Sequence, residues 1–156
     1  MLYQLKGLAD IAAVIANERK CGGTVEAESI RLRSGEEFSN IVIISVDGDG
    51  HSIYTVGFLC EKGKHYLVHI NDISMVTNPT HTWTCKIKNQ FVRKQKTEEK
   101  LRYLDKLCKV NEGSCLSPFI EEVQRLINDI GFEQVRNSGI ALPVKLLKEK
   151  KILQIA

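Results

Sequence analysis

Residues 26–76 read EAESIRLRSGEEFSNIVIISVDGDGHSIYTVGFLCEKGKHYLVHINDISMV. Five short apolar runs stand in this stretch, at residues 28–33, 38–46, 52–60, 65–70 and 73–76. The breaks between them are Ser34-Gly35, Asp47-Gly48-Asp49-Gly50, Lys62-Gly63 and Asn71-Asp72. Glycine and Asn accept the positive φ of tight turns, and β-branched and aromatic side chains suit a pleated surface. Evenly spaced short runs of this kind predict an antiparallel meander curling into a small barrel of five or six strands.

Within the series, Ile41, Val42, Ile43 and Ile44 are apolar on both faces, so the second strand is expected to be the most buried. The fourth run places Tyr66, Val68 and Ile70 on one face and His65, Leu67 and His69 on the other. Upstream, Leu5, Leu8, Ile11, Ala12 and Ile15 recur at steps of three and four and predict a helix over residues 2–19. Gly22-Gly23 stops that helix. Downstream, residues 81–88 alternate, with Trp83, Cys85 and Ile87 on one side, and are expected to add an edge strand guarded by Lys86 and Lys88. From Thr97 the period becomes helical through Leu101, Leu104, Leu107 and Cys108. Ser117-Pro118 opens a second helix, striped by Phe119, Val123, Leu126, Ile127 and Ile130 and closed by Gly131. Pro143 is expected to open a last short basic helix reaching Lys151. The expected organisation is α+β. Residues 1–90 form a helix plus small barrel, residues 97–156 a helical extension, and a polar joint runs from Arg93 to Lys96.

A helix followed by five meandering strands resembles the Sm-like fold and, more broadly, small barrels of the SH3 type. Ile30-Arg31-Leu32-Arg33-Ser34-Gly35 is similar to the strand-and-glycine opening of an Sm barrel. Ile44-Ser45-Val46-Asp47 is similar to the end of its second strand, and His69-Ile70-Asn71-Asp72-Ile73-Ser74 resembles the turn joining strands four and five. Asn40 stands near the point where that family has a glycine that lets strand two bend. Ile70 stands near the glycine of an Arg-Gly pair, and no aromatic residue lies at the Asp47–His51 turn where a base would stack. The resemblance implies RNA binding through barrel turns.

Composition sets outer limits. The chain has 156 residues, 43% hydrophobic content and a formal net charge of +3, which suits one domain with an appended module and falls short of a dedicated DNA-coating protein. Its first residues lack a secretory pattern, and five cysteines at irregular spacing argue against a disulfide framework. A soluble cytoplasmic protein is the expectation.

Among candidate sites, the richest is basic. Lys86, Lys88, Arg93, Lys94, Lys96, Lys100, Arg102, Lys106 and Lys109 face only Glu98, Glu99 and Asp105, with Trp83, Phe91 and Tyr103 interleaved. Such cations attract phosphate and aromatic faces stack bases, although a solvated helix face with a buried Trp83 and Phe91 would read the same way. Cys60, His65, His69, His81 and Cys85 match no zinc spacing, so no metal or other cofactor is expected. Asp47-Gly48-Asp49-Gly50-His51 lacks the Glu that a calcium loop needs at position twelve, where Phe58 stands, and reads as a hairpin turn. No nucleophile elbow or phosphate loop occurs. Arg125, Arg136, Lys145 and Lys148 would face phosphate if the C-terminal helices read DNA, but residues 131–142 are too long for a tight helix-turn-helix.

These observations lead to a non-enzymatic binding protein with RNA as first-choice ligand. Its expected contacts are His69, Asn71 and Asp72 on the turn and Lys86, Lys88, Arg93, Lys94 and Lys96 on the basic segment. The competing expectation is a protein-interaction module, an inhibitor, immunity or regulatory protein of a bacterium or virus. Homo-oligomers through an exposed strand edge fit either.

Overall fold

A computed structural model describes residues 2–147, and the end of the expected basic helix, with Lys148 and Lys151, lies outside them. The chain divides into two units, residues 1–95 and 96–156.

The first unit opens with α1 (Leu8–Ala16) and α2 (Glu18–Cys21), shorter than the helix expected from residue 2. The cause is local. The Asp10 carboxylate accepts the Lys6 and Gly7 amides at 2.8 and 3.1 Å, which starts the helix there. Upstream, the Tyr3 amide donates to Nδ1 of His81 at 3.0 Å, which holds residues before Lys6 away from helical pairing. Gly22 and Gly23, both at φ +69°, end α2 as the glycine pair requires.

Six strands follow: β1 (Thr24–Leu32), β2 (Glu37–Gly48), β3 (Ile53–Leu59), β4 (His65–His69), β5 (Ile73–Thr77) and β6 (Thr80–Thr82). They form one antiparallel sheet in the order β4-β3-β2-β1-β5, with β6 also on β1. The hydrogen-bonded path ends at β4 and β5, so the sheet is open. The rings of Phe38 on β2, Phe58 on β3 and Tyr66 on β4 gather on one face, with Phe38 and Tyr66 4.7 Å apart. The sheet bends at β2. Its residue Asn40 sits at φ +48°, and its register to β3 slips between Ile43 and Ser45.

β2 is buried on both faces, as its apolar run predicts. Ile41 and Ile43 face a core shared with Ile11, Val14, Ile30, Val56 and Phe58. Val42 faces a second, smaller core with Ile87 and Val92, flanked by Ile44 and Leu59. Complete burial of Phe58 alone contributes about 2–3 kcal/mol.

That second core corrects the expected sixth strand. After Asn78, at φ +47°, only Thr80–Thr82 pairs with β1. The chain then leaves the sheet in a 3-10 turn, Thr84–Lys86, and drops Ile87 onto Val42. Covering the outer face of β2 wins over extending the edge, because an uncovered Val42 would leave a large apolar surface in water. Trp83, Cys85 and Ile87 therefore do not share a strand face, and Lys86 and Lys88 guard no strand edge.

The helix α3 (Gln90–Val110) begins seven residues before Thr97, so the expected joint from Arg93 to Lys96 is helical. In the second unit α3 is followed by α4 (Ser117–Ile130) and α5 (Phe132–Ser138). Leu104, Phe119, Val123, Ile127, Ile130, Val135 and Leu146 form their core, following the predicted stripe. α5 occupies the stretch read as a long turn. Lys100 on α3 reaches the buried Asp129 on α4 at 2.5 Å. No helix among the described residues is long and apolar enough to cross a membrane.

Candidate nucleic-acid interface

The basic segment is built outward from Asn89, which is 1% exposed. Its Oδ1 accepts the Val92 amide at 3.2 Å and so caps α3. Its Nδ2 donates to the carbonyls of Cys60 at 2.9 Å and Asn40 at 3.1 Å. One side chain thus ties the bend of β2, the end of β3 and the start of α3. Next to it, the buried Glu26 carboxylate accepts the Lys88 amide at 3.0 Å. Arg93 Nη1 donates back to the Ile87 carbonyl at 3.3 Å.

On this anchored backbone Lys86, Lys88, Arg93 and Lys94 are all exposed, and residues 86–94 contain no acid. Lys96 is only half-exposed and belongs to the second unit. Farther along α3, Arg102 and Lys106 are exposed, whereas other side chains pair within the helical unit. Lys100 binds Asp129, Lys109 binds Asp105 at 2.7 Å, and the Tyr103 hydroxyl donates to Glu122 at 2.6 Å.

Phe91 is 51% exposed rather than buried in the core. Its ring lies against Gly63 in the β3–β4 turn, which brings exposed Lys62 and Lys64 beside the basic segment. Those two lysines were not among the expected contacts. Their only sequence signal is the Lys-Gly-Lys turn. Asn89 three residues before Val92 is likewise a readable cap signal.

The turn between β4 and β5 is a short 3-10 helix, Ile70–Asp72. His69, Asn71 and Asp72 are exposed there. The His69 Nδ1 accepts the Asn71 amide at 3.2 Å, and the Asp72 carbonyl accepts the Arg33 amide at 2.7 Å. The turn is thus fixed to the end of β1, while the basic segment is fixed to Glu26, Asn40 and Cys60. They are two separately anchored features.

The histidines and cysteines do not assemble. His81 is buried, with Nε2 2.7 Å from the Gly22 carbonyl and Nδ1 taken by Tyr3. No group of three or more metal-ligating side chains comes together among the described residues. The acidic turn is a hairpin. The Asp49 carboxylate accepts the Tyr54 hydroxyl at 2.5 Å and the Ser52 and His51 amides, which lower its pKa to about 2. The same bond pushes the Tyr54 phenol up.

No protein-family model, curated protein or solved structure matches the chain.

Proposed function

We propose that the protein is a non-enzymatic nucleic-acid-binding protein whose first-choice ligand is single-stranded RNA. One observation carries this reading: Lys86, Lys88, Arg93 and Lys94 stand exposed on an acid-free segment whose backbone is fixed by buried Asn89 and Glu26. Cations carried on an anchored backbone release condensed counterions from phosphate at a lower ordering cost for the chain, and the N-terminal dipole of α3 adds to the field. His69, Asn71 and Asp72 supply a second contact on the β4–β5 turn.

The curved sheet belongs, in this reading, to the Sm-like or SH3-type small barrels. The helix ahead of the strands, the short turn of Ile70–Asp72 and the positive φ of Asn40, where the family bends strand two, support it. A cytoplasmic location is supported by five cysteines present as thiols.

The test is fluorescence anisotropy with labelled RNA at graded salt. Wild-type affinity falls steeply as salt rises, and each phosphate contact contributes about 0.7 to the log–log slope on a single strand. Replacing Lys86, Lys88, Arg93 and Lys94 by Ala lowers affinity and flattens the slope. An affinity indifferent to salt, or to those four changes, rules the reading out.

A second reading has its own support. β4 is an edge of the sheet, and Leu67 on it is 65% exposed between His65 and His69. An open edge with an apolar side chain suits strand addition by a protein partner or a second copy. A complex formed without nucleic acid and lost in Leu67→Lys supports it. A monomer that captures no protein excludes it.

A further inference from the structure

We infer that Phe91 is a stacking platform for one unpaired base, walled by the Lys62-Gly63-Lys64 turn; this rests on the nucleic-acid reading above. The motivation is a large aromatic ring held half in water. A Cβ added at Gly63 would stand 2.8 Å from Cδ1 and Cε1 and 2.9 Å from Cζ of Phe91. The glycine therefore presses its bare backbone on the ring, and at φ +79° it also adopts a conformation that other residues resist. The turn beneath is itself closed, with the Gly63 amide donating to the Cys60 carbonyl at 2.9 Å and the Cys60 amide to the Lys64 carbonyl at 3.0 Å. That same Cys60 carbonyl accepts Nδ2 of Asn89, the cap of the helix that carries Phe91. Ring and turn are thus locked together from both sides through Asn89.

What surrounds the ring decides the ligand. Lys62 and Lys64 flank its glycine support, Lys94 lies three residues on along the same helix face, and Lys88 precedes the cap; all four are exposed. The nearest acid in the turn, Glu61, is engaged by Nδ2 of Asn40 at 2.6 Å. A half-exposed π-face beside four exposed lysines matches a base with its adjoining phosphates, since stacking is tolerant of base identity and the lysines hold the backbone. A purely apolar protein anchor would find this rim unfavourable to desolvate.

The experiment measures binding of the full-length chain to a labelled oligouridine of about 12 nucleotides, and to the same strand made abasic, across a salt series. Phe91→Ala and Phe91→Leu are expected to weaken oligouridine binding by about 5- to 100-fold while leaving the salt slope and abasic binding unchanged. Leu keeps the apolar volume without the π-face, so it separates stacking from folding. Phe91→Tyr keeps affinity within about twofold. Replacing Lys62 and Lys64 by Ala instead flattens the salt slope by about 0.7 for each phosphate no longer neutralised. If both Phe91 variants bind as the wild type does, with salt-dependent affinity intact, the stacking site is overturned while the phosphate reading stands. If no strand binds at all, both fall together.

Discussion

Asn89→Ala is the perturbation that most sharply tests how the first unit is held. Three hydrogen bonds go at once. Loss of the α3 cap costs about 1 kcal/mol. The Cys60 carbonyl, bonded in a buried setting, loses one of its donors at a cost of about 1–2 kcal/mol, and the less buried Asn40 carbonyl loses about 1 kcal/mol. Together the change removes about 3–4 kcal/mol from a domain whose whole stability is about 5–15 kcal/mol. Trp83 is the single tryptophan and lies in the first unit, so its emission during urea unfolding reports that unit alone. With a urea dependence of about 2 kcal/mol per molar, the midpoint falls by about 1.5–2 M. Asn89→Asp keeps the acceptor for the Val92 amide but sets a buried carboxylate against the Cys60 and Asn40 carbonyls, so its loss should be at least as large as that of Ala. The neighbouring exposed Gln90→Ala serves as the control. A midpoint for Asn89→Ala within about 0.3 M of wild type would refute the account of Asn89 as a three-way tie.

Other consequences are smaller and independent. Asn40→Val should cost about 1–3 kcal/mol by urea unfolding because a β-branched residue resists φ +48°, whereas Asn40→Gly should stay near wild type. For Asp49 the folded pKa is depressed from its ordinary 3.8 to about 2, so the hairpin's contribution is present above pH 3.8 and disappears as pH falls toward 2. Carboxyl carbon NMR should place the Asp49 midpoint near 2 and find it raised in Tyr54→Phe; an unmoved midpoint would discount the phenol as the main cause. Among the thiols, exposed Cys115 should react first with an aromatic disulfide reagent, ahead of half-buried Cys85. Burial, with Asp105 adding to it, pushes the Cys108 thiol up and should leave it among the slow ones, so a fast phase that survives Cys115→Ser would contradict the assigned exposures.

Much of the sheet was legible because its determinants are local. Gly35, Gly50 and Gly63 all have positive φ at or beside the predicted breaks, and each strand begins and ends within a few residues of its apolar run. The double-sided burial of Ile41 through Ile43 followed from an uninterrupted apolar run. Residues 81–88 misled because alternation is a necessary sign of a strand and not a sufficient one. Whether Ile87 joins the edge of β1 or covers Val42 depends on a surface assembled from β1, β2 and β3. The start of α3 was hidden because Phe91, Arg93 and Lys94 show no helical stripe, and the signal there was the cap at Asn89. α5 was missed because seven residues are too few to display a period.

The candidate site divides along the same line. Its cations at Lys86, Lys88, Arg93 and Lys94, and their exposure, follow from a polar stretch that has few other places to go. The linear order of residues was enough for turns, strand lengths and the apolar faces of helices, since each is settled by neighbours within a few positions. Only the folded chain decided that the turn carrying Lys62 and Lys64 meets Phe91, that His81 captures the Tyr3 amide, and that Lys100 and Tyr103 are engaged by Asp129 and Glu122. Those pairings join residues roughly 19 to 78 positions apart. They form because packing brings their elements together, and no local pattern encodes which partner will arrive.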